Sequence, residues 1–152
     1  MDAILKKLNY KDQPIIHVLN APASFAGSLQ SIAPVAIVKH EMGETDAVEF
    51  AIAFAIKQAE VDAAAHALCP KLKGDAVLWM CYPKGSSKRY KCEFNRDTGW
   101  AAMGQYGLEP VRQVAIDEDW SALRFRKVGF IKNFNRKFAA LSEEGKDRAV
   151  GK

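Results

Sequence analysis

Apolar strand-like runs that alternate with helix-like segments, a third run apolar on both faces, and a final connection too short to carry a helix together predict an α/β fold. The expected architecture is a three-layer Rossmann-like sandwich on a mostly parallel sheet of order 2-1-3-4-6-5, with strand 6 antiparallel. At 152 residues the chain fits one domain, which would bury roughly 70% of its unfolded surface. The domain is placed at residues 1–127. Residues 128–152 form a basic C-terminal extension, expected to pack on the domain or on a partner.

After a short amphipathic lead-in, Ala3 to Leu8, the β-branched run Ile15-Ile16-His17-Val18-Leu19 is bounded by Pro14 and by Asn20-Ala21-Pro22 and reads as the first strand. Ser24 is placed to cap a short helix through Gln30. Val35 to Lys39 makes a second strand and Val48 to Phe54 a third, the latter almost continuously apolar. From Lys57 to Leu68, Val61, Ala64, Ala65 and Leu68 recur at helical spacing, and Pro70 ends the helix. Ala76 to Tyr82 is the fourth strand, followed by a polar loop from Pro83 to Lys91. A helix is expected from about Asp97 to Tyr106, stopped by Gly107, and a fifth strand from Pro110 to Ile116.

Asp117-Glu118-Asp119 is too short for a helical crossover, so Trp120 to Lys127 must return antiparallel. A terminal hairpin on an otherwise parallel sheet with right-handed crossovers is the mark of the class I methyltransferase-like variant of the fold. Beyond Val128 the pattern is ambiguous. Phe130, Phe134 and Phe138 recur at spacing four among Lys132, Arg136 and Lys137, which suits a helix, whereas Gly129, Asn133 and Asn135 suit an extended arm.

Composition narrows the function classes. No apolar run approaches the ~20 residues of a membrane span, and the charged start lacks a cleavage pattern, so the expected location is the cytoplasm. Cys69, Cys81 and Cys92 lack metal-ligand spacing and read as reduced thiols. The net charge of +4 is uneven: from Arg124 onward nine Lys or Arg face three acids, a balance of +6, and residues 1–123 carry −2. His17 and His66 are expected to be packed and His40 exposed, with no metal site among them. Trp79, Trp100 and Trp120 read as core anchors. Arg124 and Arg126, on one face of the sixth strand, would need carboxylate partners or an escape to the sheet end.

In open α/β sheets ligands bind beyond the carboxyl ends of the strands where the strand order reverses, here between strands 1 and 3. Three segments should gather there: Asn20 to Phe25, Tyr82 to Lys88, and Asp117 to Asp119. The candidate ligand-binding residues are Asn20, Ser24, Lys84, Ser86, Ser87, Lys88, Asp117 and Asp119. Pro83-Lys84-Gly85-Ser86-Ser87-Lys88 offers cations, hydroxyls and a flexible glycine suited to an anion. An S-adenosylmethionine or dinucleotide site would want a glycine-rich turn after the first strand, and Asn20-Ala21-Pro22 replaces it with a residue that has no N–H to offer. No cofactor is therefore predicted. No Ser or Cys has an identifiable His and acid partner, so catalytic residues stay unassigned.

Leu19-Asn20-Ala21-Pro22, Leu78-Trp79 leading to Tyr82-Pro83-Lys84 with Ser86-Ser87, Asn95-Arg96-Asp97, and the run Val114 to Phe125 resemble a family of small bacterial proteins known only as a domain of unknown function. The resemblance spans residues 5–127 and implies a bacterial origin and a Rossmann-like fold. It implies no activity, cofactor or catalytic residue.

Three functional readings remain. The first is a binding or regulatory module that recognises an anionic small molecule or a protein partner at the Asn20, Lys84 and Ser86 edge. The second is an enzyme whose anionic substrate is held by Lys84, Ser87 and Lys88, with Asp117 or Asp119 as acid or base. The third, less favoured, is nucleic-acid binding by the basic tail. A homodimer is a further expectation for the tail's phenylalanines.

Overall fold

The computed structural model describes residues 2–131. Strands β1 (Ile15–Leu19), β2 (Ile37–Lys39), β3 (Val48–Phe54), β4 (Leu72–Pro83), β5 (Leu108–Ala115) and β6 (Trp120–Lys127) form one sheet of order β2-β1-β3-β4-β6-β5. Strands β2, β1, β3 and β4 run parallel, and β6 lies antiparallel between β4 and β5. This is the predicted topology, with α1 (Ala3–Lys7), α2 (Ala26–Ile32), α3 (Gln58–Leu68) and α4 (Ala101–Gly104) covering it.

Period-two alternation divides the core into two layers. On β4, Val77, Trp79 and Cys81 join Ile16, Val18, Phe50 and Ile52 in the layer that holds Leu5 of α1 and Ile32 of α2. Leu78, Met80 and Tyr82 point the other way, to Val61, Ala65 and Leu68 of α3 and Met103 of α4. Both faces of β3 are thus covered, which is why only Glu49 interrupts its buried run. Trp79, fully buried, donates its indole N–H to the Leu8 carbonyl at 2.7 Å and so ties α1 to the sheet. Glu60 begins α3 by accepting the backbone N–H groups of Ile56 and Lys57, both at 2.9 Å.

Several boundaries differ from the sequence reading. Residues 35–36 stay out of β2 because the N–H groups of Val35 and Ala36 both bond to the Ile32 carbonyl in a turn that closes α2. Ser24 does not cap a helix: it lies inside a 3₁₀ turn, Ala23–Phe25, with no side-chain cap. Strand β4 starts four residues early at Leu72, with a register shift opposite Val48 and Phe50 and Gly74 at φ 57°. The expected helix from Asp97 to Tyr106 shrinks to Ala101–Gly104. Its first turn is pre-empted by Asn95, whose Oδ1 accepts the N–H groups of Asp97 (2.8 Å) and Thr98 (3.1 Å), and by Gly99 at φ 93°.

His17 is buried, with Nε2 3.2 Å from Thr45 Oγ1, and burial followed by Lys39 lowers its pKa. His66, expected to be packed, is exposed and meets the Tyr106 hydroxyl at 2.6 Å. The three cysteines are free, and burial pushes the Cys69 thiol up to about 12 and that of Cys81 well above its ordinary value. Arg126 makes a bidentate pair with Asp75 at 2.6 and 3.1 Å, as its strand position required. Buried Arg124 does not find an equivalent partner for its Nε among the described residues. After β6, Val128 and Ile131 are buried and Phe130 is exposed; Lys132, Phe134, Arg136, Lys137 and Phe138 lie outside the described residues. No helix among those described is long and apolar enough to cross a membrane.

Gly99 marks where the short helix is decided. A Cβ there would stand 2.7 Å from Phe94 Cβ and 2.8 Å from Gln58 Oε1, in a backbone conformation L residues rarely adopt. Gly99→Ala is expected to cost about 1–3 kcal/mol. Thermal melting checks this, and an unchanged Tm would show that the turn carries no such constraint.

Candidate functional site

The carboxyl end of β4 and the amino end of β6 meet through the Pro83 and Trp120 pair, and the chain beyond each is stitched to the other. The Lys84 N–H donates to the Asp119 carbonyl at 2.8 Å. Ser87 Oγ donates to Asp119 Oδ1 at 2.8 Å and accepts the N–H groups of Arg89 and Tyr90, both at 3.2 Å. That uses the one donor and both acceptor positions of a hydroxyl. Arg89 Nε lies 4.0 Å from the other Asp119 oxygen. Asp117 Oδ1 accepts the N–H groups of Asp119 and Trp120 at 2.8 Å each, which folds the hairpin turn.

Under this loop lies a cavity of about 740 Å³. Tyr82, Phe94, Gln113 and Ser121 are among its lining residues. So are five cations, Lys84, Lys88, Arg89, Lys91 and Arg96, and no Asp or Glu lines it. Glu93, the one acid within residues 84–96, is turned away: its Oε1 accepts the Gln58 N–H at 2.8 Å, at the start of α3. Arg96 has an exposed partner in Asp97 at 3.5 Å. Gln113 Nε2 donates to the Tyr82 hydroxyl at 2.9 Å, and burial pushes the Tyr82 pKa up to about 12, so the phenol keeps its proton at neutral pH. Beside this cavity a second hollow of about 450 Å³ is walled by Ser86, Ser87, Lys88, Arg89, Glu118 and Asp119.

The structure therefore brings together Lys84, Ser86, Ser87 and Lys88 with Asp119, but divides their work. Lys84, Ser86 and Lys88 line the cavity with no side-chain bond of their own among the described residues, whereas Ser87 and Asp119 hold the loop and Asp117 holds the turn. Asn20 and Ser24 are exposed and line neither of these two cavities. Arg89, Tyr90, Lys91 and Arg96 were not among the sequence candidates. The signal for them is the interleaving of cations with aromatics in Lys88-Arg89-Tyr90-Lys91-Cys92-Glu93-Phe94-Asn95-Arg96, hidden by the net negative charge of the longer stretch around it. Among the described residues no group of three His, Cys, Asp or Glu could hold a metal.

The crevice between β1 and β3 is built differently from a cofactor site. Asn20 turns the chain at φ 58° and Pro22 contributes no N–H. Phe25 and Phe54, each 2% exposed, meet edge to face at 5.1 Å. Phe54 packs on Trp120 at 5.1 Å and Trp120 on Tyr90 at 5.0 Å. This row of rings links the ends of β1, β3 and β6 to the loop after β4. The turn after β1 thus offers one backbone donor fewer than a glycine-rich turn of the same length.

Neither a family model nor a curated protein matches the chain, so the family suggested by the short strings between residues 5 and 127 is not identified. Solved structures share the fold. The pyocyanin biosynthetic protein PhzM is 11% identical with a TM-score of 0.51, over 82% of this chain and 53% of that one. TrmN from Thermus thermophilus is 6% identical with a TM-score of 0.52, over 83% and 47%. A TehB-like SAM-dependent methyltransferase from Corynebacterium glutamicum is 8% identical with a TM-score of 0.47, over 82% and 85%. The chain spans about half the length of the first two. The likeness is one of fold: a Rossmann-like α/β sheet as in methyltransferases.

Calorimetric titration with S-adenosylmethionine or NAD is expected to show no saturable binding at or below about 1 μM, equivalent to about −8 kcal/mol. Tight binding of either would show that the lack of a glycine-rich turn after β1 does not exclude such ligands.

Proposed function

We propose that this chain is a ligand-binding module of methyltransferase-like fold, and that its site is the basic cavity under the β4–α4 loop rather than the β1–β3 crevice. The observation that carries the reading is a lining of five cations and no carboxylate. Like charges gathered around one concavity raise the local potential, and an anion that enters relieves their mutual repulsion. Among the described residues the ammonium groups of Lys84, Lys88 and Lys91 have no hydrogen-bond or ion-pair partner, so they can turn to a ligand without breaking an existing contact.

Binding is favoured over acid–base catalysis because the carboxylates nearest the cavity already have structural duties. Asp117 accepts two backbone N–H groups, and Asp119 fixes Ser87. Nucleic-acid binding by the basic C-terminal segment gains nothing from the two cations that lead into it, since Arg126 is paired with Asp75 and Lys127 Nζ donates to the Leu72 carbonyl at 2.9 Å.

Titration with inorganic pyrophosphate tests the proposal. Saturable one-to-one binding is expected, weaker as salt is raised because exposed cations are screened. Replacing Lys84 and Lys88 together by Ala should weaken it about tenfold, equivalent to ~1.4 kcal/mol, without lowering Tm. Absence of saturable binding, or binding that the double variant leaves intact, overturns the assignment.

A further inference from the structure

We infer that the ligand of the basic cavity is a nucleotide, free or within a single strand, whose base stacks on Tyr90 while its phosphate meets the surrounding cations. The inference rests on the anion-binding reading and narrows it to an anion that carries an aromatic ring. Its first support is size: about 740 Å³ greatly exceeds what a bare phosphate needs and lies in the range of sites for nucleotide-sized molecules.

The second support is Tyr90. It is half-buried in the cavity lining and backed by Trp120 at 5.0 Å, with ring planes inclined at 55°. Ser87 Oγ fixes its backbone N–H and Trp120 packs on its ring, so a stacking partner pays less ordering entropy than at a free side chain. Arg89 and Lys91 flank it in the chain and line the same cavity. An aromatic platform between cations is the arrangement that serves a base and its phosphate at once.

The third support is the polar lining. Gln113 spends one of its two amide N–H groups on Tyr82, which leaves the other N–H and the amide oxygen for a ligand, and Ser121 is a buried hydroxyl in the same wall. The Tyr82 hydroxyl accepts from Gln113 and keeps a proton to donate. An inorganic anion has no donors with which to use the acceptor, whereas a base edge offers both donors and acceptors.

The experiment is a calorimetric comparison of ribose 5-phosphate, AMP and a short oligoadenylate at one ionic strength, with pyrophosphate as the reference anion. On the wild-type chain AMP is expected to bind at least tenfold tighter than ribose 5-phosphate, a comparison that needs no variant to fold. Tyr90→Leu should erase that difference while ribose 5-phosphate binding is unchanged, and Tyr90→Phe, which keeps the ring, should preserve it. An oligoadenylate that binds more tightly than AMP, with a steeper salt dependence, identifies a strand as the source; equal affinity identifies the free nucleotide. If AMP and ribose 5-phosphate bind alike, or if Tyr90→Leu folds and retains the preference, the inference falls and the anion site stands. If pyrophosphate also fails to bind, both fall.

Discussion

Four residues, Ile116 to Asp119, separate the end of β5 from the start of β6, and a connection that short cannot carry a helix across a sheet. The chain must reverse at once, and Asp117 secures the reversal by accepting two backbone N–H groups in the turn. Much else follows from that reversal. Because β6 enters between β4 and β5, it completes the buried sheet with Ala122, Leu123 and Phe125. It also delivers Trp120 and Asp119 to the end of β4, where the loop begins. Without the hairpin Ser87 would lack its acceptor, Tyr90 its backing ring, and the cavity a wall at Ser121.

The two faces of the sheet meet this edge differently. Toward α1 and α2 the row from Phe25 through Phe54 and Trp120 to half-buried Tyr90 packs ring on ring, and each such contact adds some stability beyond the area it buries. Toward α3 and α4, Tyr82, Phe94, Trp100 and Phe125 form another aromatic cluster. Its members Tyr82 and Phe94 also line the cavity, where the polar Gln113 and Ser121 join them. The rings gather near the ends of β1, β3 and β6 and the cations in the loop after β4. The similarity to methyltransferase structures describes the scaffold; the distribution of rings and cations describes this chain.

The topology was legible because it rests on features local to the sequence. Val48 to Phe54 is apolar without alternation, the Ala-rich segment before Pro70 has helical spacing, and the turn at 117–119 is short. The boundaries that slipped depend on irregular local hydrogen bonds that hydrophobic spacing does not encode. Asn95 takes the N–H groups that would have started a helix, and Ile32 takes those that would have extended β2. The site was legible in location and only partly in detail. Lys84, Ser86 and Lys88 do line a cavity, but no local pattern says that Asp119 will engage Ser87, or that Asp117 will be spent on a turn. Which polar groups remain available for a ligand is settled by what the fold has already consumed.

The same logic explains how a basic site arises in a stretch whose net charge is negative. Residues 1–123 carry −2, yet five cations surround one cavity. Distant carboxylates cannot cancel them, because at physiological ionic strength screening acts over about 8 Å. The nearer control is local folding. Glu93 is the acid best placed in sequence to neutralise the loop, and it is drawn instead to the Gln58 N–H, at the positive end of α3. That contact supplies an acceptor for one of the N–H groups a helix leaves unpaired at its start. It also leaves the cavity lining without a counter-charge of its own. A single hydrogen bond that helps begin a helix therefore keeps one more acid away from cations of which, among the described residues, only Arg89 and Arg96 have carboxylate neighbours, Asp119 and Asp97.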